Sequence, residues 1–143
     1  MIFVRGDDFF REFEHTGDAG IEVEGTSRTE LFAHAIVAMA RIMVDREGIT
    51  ALERREIETR ADNDADRMHD LLAAALNAFL IDAFIWRDAS VAERDGTLVA
   101  TLTGERFDSK RHQLLTELKA VTYHRLAVEQ LPGRWRATIV FDV

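Results

Sequence analysis

The sequence predicts an α+β fold, in which two main helices pack against a largely antiparallel or mixed β-sheet with hairpins. Two stretches carry apolar residues at helical spacing, and several shorter segments alternate apolar with polar residues as half-buried strands do. Two turn-forming pairs, Asp95-Gly96 and Pro132-Gly133, lie between such segments. The chain has 143 residues and neither a linker nor a repeat, so residues 1–143 are predicted to form a single domain.

The first predicted elements are two strands and a helix. Alternation predicts strands over residues 9–13 and 21–24, and two glycines between them indicate a tight loop at residues 15–20. Ser27 and Glu30 have the spacing of a capping box, which marks the start of a helix. That helix has one apolar stripe, made of Leu31, Phe32, Ala35, Ile36, Met39, Ile42 and Met43.

A strand and a second helix follow in the middle of the chain. Residues 53–60 alternate around Ile57 and indicate a largely solvated strand. The second helix is predicted to begin after the acidic turn at residues 62–66, with Asp64 or Asp66 as its cap, because carboxylates suit the positive end of a helix dipole. Its apolar residues are Leu71, Leu72, Ala75, Leu76 and Phe79.

The last third of the chain predicts two hairpins. The two turn pairs named above join residues 91–94 to 98–102 and residues 126–128 to 135–143. Between the hairpins, the leucine spacing in residues 108–122 allows either a short helix or an extended strand.

Composition and charge exclude several classes of protein. Cysteine is absent, so disulfides, thiolate metal sites and cysteine nucleophiles are excluded. A net charge of −8 argues against a large autonomous nucleic-acid footprint, and no stable direct binding of nucleic acid is expected. The apolar stretch at residues 71–86 is interrupted by Asn77 and Asp82, and residues 1–8 turn acidic too early for a signal peptide. No membrane association is therefore expected, and the predicted location is cytoplasmic.

The familiar catalytic and metal-binding motifs are missing from the sequence. Residues 62–66 look like the opening of an EF-hand loop, but Arg67 and Ala73 occupy the positions that need Gly and a bidentate Glu. The five histidines lack metalloprotease spacing, and there is no nucleophile elbow, phosphate-binding loop or dinucleotide fingerprint. Ordinary hydrolase, kinase and dehydrogenase activities therefore find no support.

Three polar residues stand out by their positions. Arginine provides 16 of the 18 basic residues, yet Lys119 is kept in a largely apolar run, where it either extends from a strand into solvent or serves a site. Asp18 lies in the predicted loop, where it either forms a turn through its own side chain or belongs to a site. If the chain ends at Val143, Asp142 and the terminal carboxylate offer hard oxygen ligands for a divalent cation; the alternative is a frayed, solvated end.

Taken together, several segments resemble the archease family. They are, in chain order, Phe13 to Asp18, Ile21 to Gly25, Gly104-Glu105, Phe107-Asp108, Arg111-His112, Thr116 to His124 and Ile139 to Val143. The His-Thr-Gly-Asp loop at residues 15–18 and the Lys-Ala-Val-Thr-Tyr-His run at residues 119–124 are specific as a pair. The resemblance extends over nearly the whole chain.

Archeases are accessory proteins of the RtcB-type RNA ligase, which joins RNA ends in tRNA splicing and RNA repair. The resemblance implies that this chain is not a catalyst, and that it promotes formation of the ligase's covalent guanylate and repeated turnover. The family's functional residues match Asp18, Lys119 and Asp142. The resemblance also implies a divalent metal, calcium or else Mg²⁺ or Mn²⁺, at Asp18, Asp142 and Val143. A monomer or weak homo-oligomer is expected.

Two other functions stay open from the sequence. A general chaperone or adaptor for RNA-modifying enzymes, such as a tRNA methyltransferase, is also suggested for the family. A free-standing metal-dependent phosphoesterase that uses Asp18 and Asp142 has less support, because a hydrolytic metal site usually needs further ligands and a positioned base or second metal.

Overall fold

All strand pairs in the described part of the chain are antiparallel, and the strands form two sheets. The computed structural model describes residues 2–15 and 17–143. In chain order the elements are β1 (Ile2–Asp7), β2 (Phe10–His15), β3 (Asp18–Gly25), α1 (Arg28–Met43), a 3₁₀ turn (Arg46–Gly48), β4 (Glu53–Thr59), α2 (Asp64–Asp82), β5 (Phe84–Arg94), β6 (Thr97–Arg106), β7 (Ala120–Val121), β8 (Ala127–Leu131) and β9 (Arg134–Asp142). The predicted α+β fold, with two main helices and antiparallel hairpins, is confirmed.

The larger sheet is organised around its last strand in the sequence, β9. Its strands follow the order β1-β2-β3-β9-β7, and β8 also pairs with β9. β9 therefore has β3 along one side, while β7 and β8 share the other side. The smaller sheet has the order β4-β6-β5. This topology brings three distant parts of the chain, β3, β7 and β9, next to one another.

Both helices contact strands of both sheets, so the core lies between the sheets. α1 buries eleven of its sixteen residues, as expected for a helix that is covered on most sides. Trp86 of β5 is fully buried, and its Nε1–H donates to the backbone carbonyl of Ile36 in α1 across 2.8 Å. Neither helix of the described residues has an apolar stretch of membrane-spanning length.

The predicted hairpin at Asp95-Gly96 is present. Asp95 has φ +51° and Gly96 has φ +79°, and two positive values at a two-residue turn match the twist of the flanking strands. The strands β5 and β6 are longer than predicted, because pairing continues as far as Phe84 and Arg106. The hairpin at Pro132-Gly133 is also present, and it joins β8 to β9.

The caps of the two helices only partly match the prediction. Ser27 caps α1 as predicted, since its side chain accepts the backbone N–H of Glu30. α2 is capped by Asn63 and not by Asp64 or Asp66. The Oδ1 atom of Asn63 accepts the N–H of Asp66 across 2.9 Å, and its extended backbone is typical of a cap. Both aspartates lie in the first turn of the helix instead.

One further prediction about local structure was wrong, because Asp18 to Gly20 belong to β3 and not to the predicted loop at residues 15–20. Residues 108–122, for which the sequence allowed a short helix or an extended strand, form no helix, and only Ala120–Val121 are a strand. This segment is held by long-range backbone hydrogen bonds to the end of α1, which a local pattern does not reveal: Asp45 N–H donates to Gln113, and Leu115 N–H donates to Met43.

Candidate functional site

Asp18 is placed by the turn between β2 and β3. The backbone of His15 pairs with that of Asp18, so only two residues connect the strands. Gly17 in that connection has φ +83°, a conformation in which glycine carries no steric penalty. Asp18 is therefore the first residue of β3, and its side chain is half-buried.

The backbone of β9 brings Asp142 beside Asp18. The register of the two strands pairs Ala19 with Phe141, so the next step along the ladder leads to Asp18 on one strand and Asp142 on the other. Ala19 and Phe141 are buried, and successive side chains of a strand alternate between faces. The two aspartates therefore lie on the face of the sheet that points away from the core, at its end. Asp142 is exposed.

Lys119 approaches Asp142 from the opposite side of β9. Ala120 pairs with Asp142, and the backbone N–H of Lys119 donates to the carbonyl of Asp142 across 2.8 Å. The lysine side chain is exposed. Within the part of the chain that the structure describes, it forms no ion pair with Asp18 or with Asp142. The backbone thus brings all three candidate residues to one end of the sheet, although their side chains do not pair.

The run that contains Lys119 is fixed by several contacts downstream. Thr122 donates from Oγ1 to the carbonyl of Val140 across 2.9 Å. The imidazole of His69 in α2 contacts the carbonyl of Val121 through Nε2 at 3.1 Å, and its ring stacks on that of Tyr123 with 4.1 Å between centroids. Because a carbonyl only accepts, the Nε2 atom carries the proton. α2 and β9 together therefore hold this run in place.

The environment of Tyr123 is distinctly acidic. Partial desolvation, and then a hydrogen bond to Asp66 and the negative charge of Asp70, raise the pKa of the Tyr123 hydroxyl above its usual value. The hydroxyl is therefore in its neutral, protonated form at neutral pH.

Asp18 and Asp142 bring two carboxylates to this end of the sheet. Among the described residues no group of three or more His, Cys, Asp or Glu side chains is arranged to hold a metal, so an ion here would need further oxygen ligands. Val143 follows directly and is itself exposed. Carboxylate oxygens are the ligands that Ca²⁺ and Mg²⁺ prefer in proteins.

Comparison with known proteins adds independent information. The sequence model of the Archease protein family matches residues 10–143. The chain belongs to the archease family. Protein archease of Pyrococcus abyssi is 32% identical over 139 residues, which are 94% of this chain and 98% of that protein. Protein archease of Methanopyrus kandleri is 33% identical over 138 residues, which are 94% and 99% of the two chains.

Solved structures agree with this membership. The solution structure of a protein from Methanobacterium thermoautotrophicum superposes with a TM-score of 0.78 at 28% identity, covering 94% of this chain and 98% of that one. A crystal structure of an archease from Thermotoga maritima, described as a possible chaperone, has a TM-score of 0.63. Its identity is 23%, with coverage of 92% and 94%, so this second likeness concerns the fold alone.

A buried polar cluster in this archease fold received no role from the sequence. Glu105 and His112 are 3% and 4% exposed. Glu105 accepts hydrogen bonds from Arg111 and, at 2.6 Å, from the backbone N–H of Thr50. The Nδ1 atom of His112 accepts the N–H of Asp108 at 2.8 Å, so its Nε2 must carry the proton that is shared with Glu105 across 3.0 Å.

The electrostatic consequence for Glu105 is large. The hydrogen bond from Arg111, aided by the donors Thr50 and His112 and opposed by desolvation, lowers the pKa of Glu105 from 4.5 to about 2. The carboxylate is therefore ionised at neutral pH. It fixes the beginning of the irregular segment that leads to Lys119. The sequence contained one signal for this cluster, an acidic residue directly after Gly104 at the end of an apolar strand, but its partners are distant in the chain.

Proposed function

We propose that this protein is a metal-binding accessory protein that promotes guanylylation and multiple turnover of an RtcB-type RNA ligase in tRNA splicing and RNA repair. One observation carries the proposal. In a chain of the archease family, the backbone brings Asp18, Asp142 and Lys119 together at one exposed end of the sheet. These are the three positions at which the family's functional residues are expected.

Asp18 and Asp142 are the proposed metal ligands, together with Val143 if its terminal carboxylate is free. Calcium is the expected ion, with Mg²⁺ and Mn²⁺ as alternatives, since all donors are hard oxygens. When bound, the ion neutralises carboxylates that otherwise repel one another, and it offers a positive centre to an anionic group. The exposed position of Asp142 leaves this end of the sheet accessible to a partner.

Lys119 supplies a mobile ammonium group beside these carboxylates. Its main chain is fixed by the hydrogen bond to Asp142, whereas its side chain is exposed and makes no ion pair among the described residues. A lysine held this way can donate to a carboxylate of the ligase, to a phosphate of the nucleotide, or to a site aspartate. In none of these cases does it provide a nucleophile.

Activation of this kind requires the accessory protein to bind one state of the ligase more tightly than another. The proposed site has the chemistry that such differential binding needs, because it combines two carboxylates with a lysine that is unpaired among the described residues, at an exposed end of the sheet. A state of the ligase that presents an anion to Lys119 and the metal would be favoured over a state that does not.

The experiment is a multiple-turnover RNA ligation assay with purified ligase, GTP and the variants Asp18→Asn, Lys119→Ala and Asp142→Asn. We expect each variant to lose most of its stimulation while retaining its fold. Asp95→Asn is the control for the amide changes, because Asn tolerates the positive φ of that turn. Lys110→Ala is the control for Lys119, since these are the two lysines of the chain. Stimulation equal to wild type by all three variants would contradict the site.

A second function follows from the family to which the chain belongs. It is that of a general chaperone or adaptor for RNA-modifying enzymes such as a tRNA methyltransferase, and the word chaperone is also used for the archease of Thermotoga maritima. Capture of a methyltransferase but no ligase from cell extract would favour this adaptor. A free-standing phosphoesterase would instead show metal-dependent cleavage of a phosphodiester by the purified chain alone.

A further inference from the structure

An apolar groove of about 340 Å³ lies directly beside Lys119. Its lining residues are Phe79, Leu80, Leu114, Glu117, Leu118 and Lys119. The groove is formed between the C-terminal end of α2 and the irregular segment that precedes β7. Leu118 is 3% exposed and belongs to the floor, whereas Leu80 and Leu114 are 50% and 41% exposed and belong to the rim.

The exposed apolar surface here is clustered. Single exposed leucines are ordinary on protein surfaces, but neighbouring ones around a concave feature mark a place where another molecule binds. Leu80 and Leu114 come from different elements and share one groove. Ile81, the next residue at the same helix end, is 77% exposed but does not line the groove. A partner's apolar side chain would cover surface that the fold itself leaves in water.

The groove also carries two opposite charges that the protein does not use internally. Neither Glu117 nor Lys119 has an ion pair or a side-chain hydrogen bond among the described residues. A partner segment could match all of these groups. Its apolar side chain would contact the leucines, a basic residue would face Glu117, and an acidic residue would face Lys119. The charges of Glu117 and Lys119 therefore favour a partner segment that carries one basic and one acidic residue beside its apolar side chain.

The groove is continuous with the proposed metal site through Lys119, whose N–H is bonded to Asp142. The groove and the proposed metal site therefore have Lys119 in common, and a partner that contacts this residue lies at the edge of both. We propose that the groove is the docking site for an apolar side chain of the RNA ligase, flanked by a basic residue that faces Glu117 and a carboxylate that meets Lys119. The inference rests on the proposed function, and it adds the surface that anchors the ligase.

The chain offers a matched pair of residues for the test. Leu114 and Leu115 are adjacent and similarly exposed, at 41% and 37%. Leu114 lines the groove, whereas Leu115 lines a different cavity beside Arg41 and Asp45. Labelled ligase is titrated with the wild-type protein and with the variants Leu114→Glu, Leu115→Glu and Leu80→Ser, and the Kd of each complex is measured. Leu80→Ser is a mild change, because Leu80 lies at an exposed helix end. Melting temperatures verify that each variant folds.

We expect Leu114→Glu to raise the Kd for the ligase at least tenfold, and Leu80→Ser to raise it about threefold. The Kd of Leu115→Glu should stay within twofold of the wild-type value. Excess Leu114→Glu protein should restore ligation, because only docking is weakened, whereas excess Asp142→Asn protein should not. If Leu114→Glu and Leu115→Glu bind equally well while Asp142→Asn still abolishes stimulation, the groove is wrong and the proposed function stands.

Two other results overturn the groove proposal. If the wild type neither binds nor stimulates the ligase, the proposed function fails and the groove proposal fails with it. If sedimentation shows that wild-type dimers become monomers in Leu114→Glu while ligase binding is unchanged, the groove joins two copies of this chain instead.

Discussion

The N–H of Lys119 lies 2.8 Å from the carbonyl oxygen of Asp142, so the main chain positions this lysine beside the last strand. The neighbouring pair, Ala120 with Asp142, continues the same ladder. The position of Lys119 relative to the aspartates thus does not depend on its own side chain. This separates the structural role of the residue from any role of its ammonium group.

Lys119→Ala and Lys119→Pro should therefore behave differently. The alanine variant keeps the backbone donor and changes only an exposed side chain, so we expect its free energy of unfolding within about 0.5 kcal/mol of wild type. The proline variant removes the N–H and should lose at least about 1 kcal/mol. Urea denaturation of both variants measures this difference. Equal destabilisation by the two would mean that the ammonium group itself supports the fold.

Metal binding at Asp18 and Asp142 should appear as thermal stabilisation. A ligand at 100 times its Kd adds about 2.7 kcal/mol to the stability of the folded state, which corresponds to a rise in Tm of roughly 5–10 °C for a chain of this size. We expect Ca²⁺ to produce such a rise and EDTA to reverse it. Asp142→Asn should abolish the response, whereas Asp95→Asn should retain it. A response that survives in Asp142→Asn would place the metal elsewhere.

Glu105→Gln should destabilise the protein in a pH-dependent way. The folded-state pKa of Glu105 is about 2 and its ordinary value is 4.5, so the ionised carboxylate stabilises the fold above pH 4.5 and this contribution is lost as the pH falls toward 2. At pH 7 the variant should lose about 1–3 kcal/mol, because charge-assisted hydrogen bonds are removed.

The measurement is denaturant unfolding of wild type and Glu105→Gln at pH 7 and at pH 3. The difference between them should shrink at the lower pH. Glu53→Gln is the control, since Glu53 lines the same cavity but is exposed. A difference that is equal at both pH values would show that Glu105 acts through packing and not through its charge.

Gly20 should resist substitution, because the ring of Phe13 lies against it. A Cβ atom at position 20 would stand 2.3 Å from the Cζ atom of Phe13, on the strand that pairs with it. Gly20→Ala should cost about 1–3 kcal/mol through overpacking and should displace the strand that begins at Asp18. In the Phe13→Leu background the same change should cost less. Additive effects of the two substitutions would contradict this contact.

The periodic parts of the fold could be predicted from the sequence, whereas its irregular parts could not. α1, α2 and the hairpin at Asp95-Gly96 are encoded by local spacing and turn chemistry. β1 escaped prediction, and its pairing with β2 shifts register between Phe3 and Arg5, which interrupts the alternation on which a strand prediction rests.

For the candidate site too, local sequence indicated single residues but not how they are arranged. Asp18, Lys119 and Asp142 stood out in the sequence by their positions and gained a shared role through a family resemblance, and no local pattern indicated that they would meet. Their convergence depends on β9 lying between β3 and β7, which is a property of the topology. Glu105 and His112 had no assigned role, because a buried ion network is recognised only once its partners are known.

Substitutions at the N-terminal cap of α2 can test the role of Asn63, which the sequence analysis did not predict as the cap. Asn63 accepts the N–H of Asp66 at 2.9 Å, so Asn63→Ala should lower the free energy of unfolding by about 1 kcal/mol. Asn63→Ser should restore most of that loss, because a serine hydroxyl can accept the same N–H. Asp62→Ala, an exposed change one residue earlier, should have little effect. Urea denaturation at pH 7 measures the free energy of unfolding of all three variants. If Asp62→Ala loses more stability than Asn63→Ala, the cap is Asp62 and the helix begins one residue earlier.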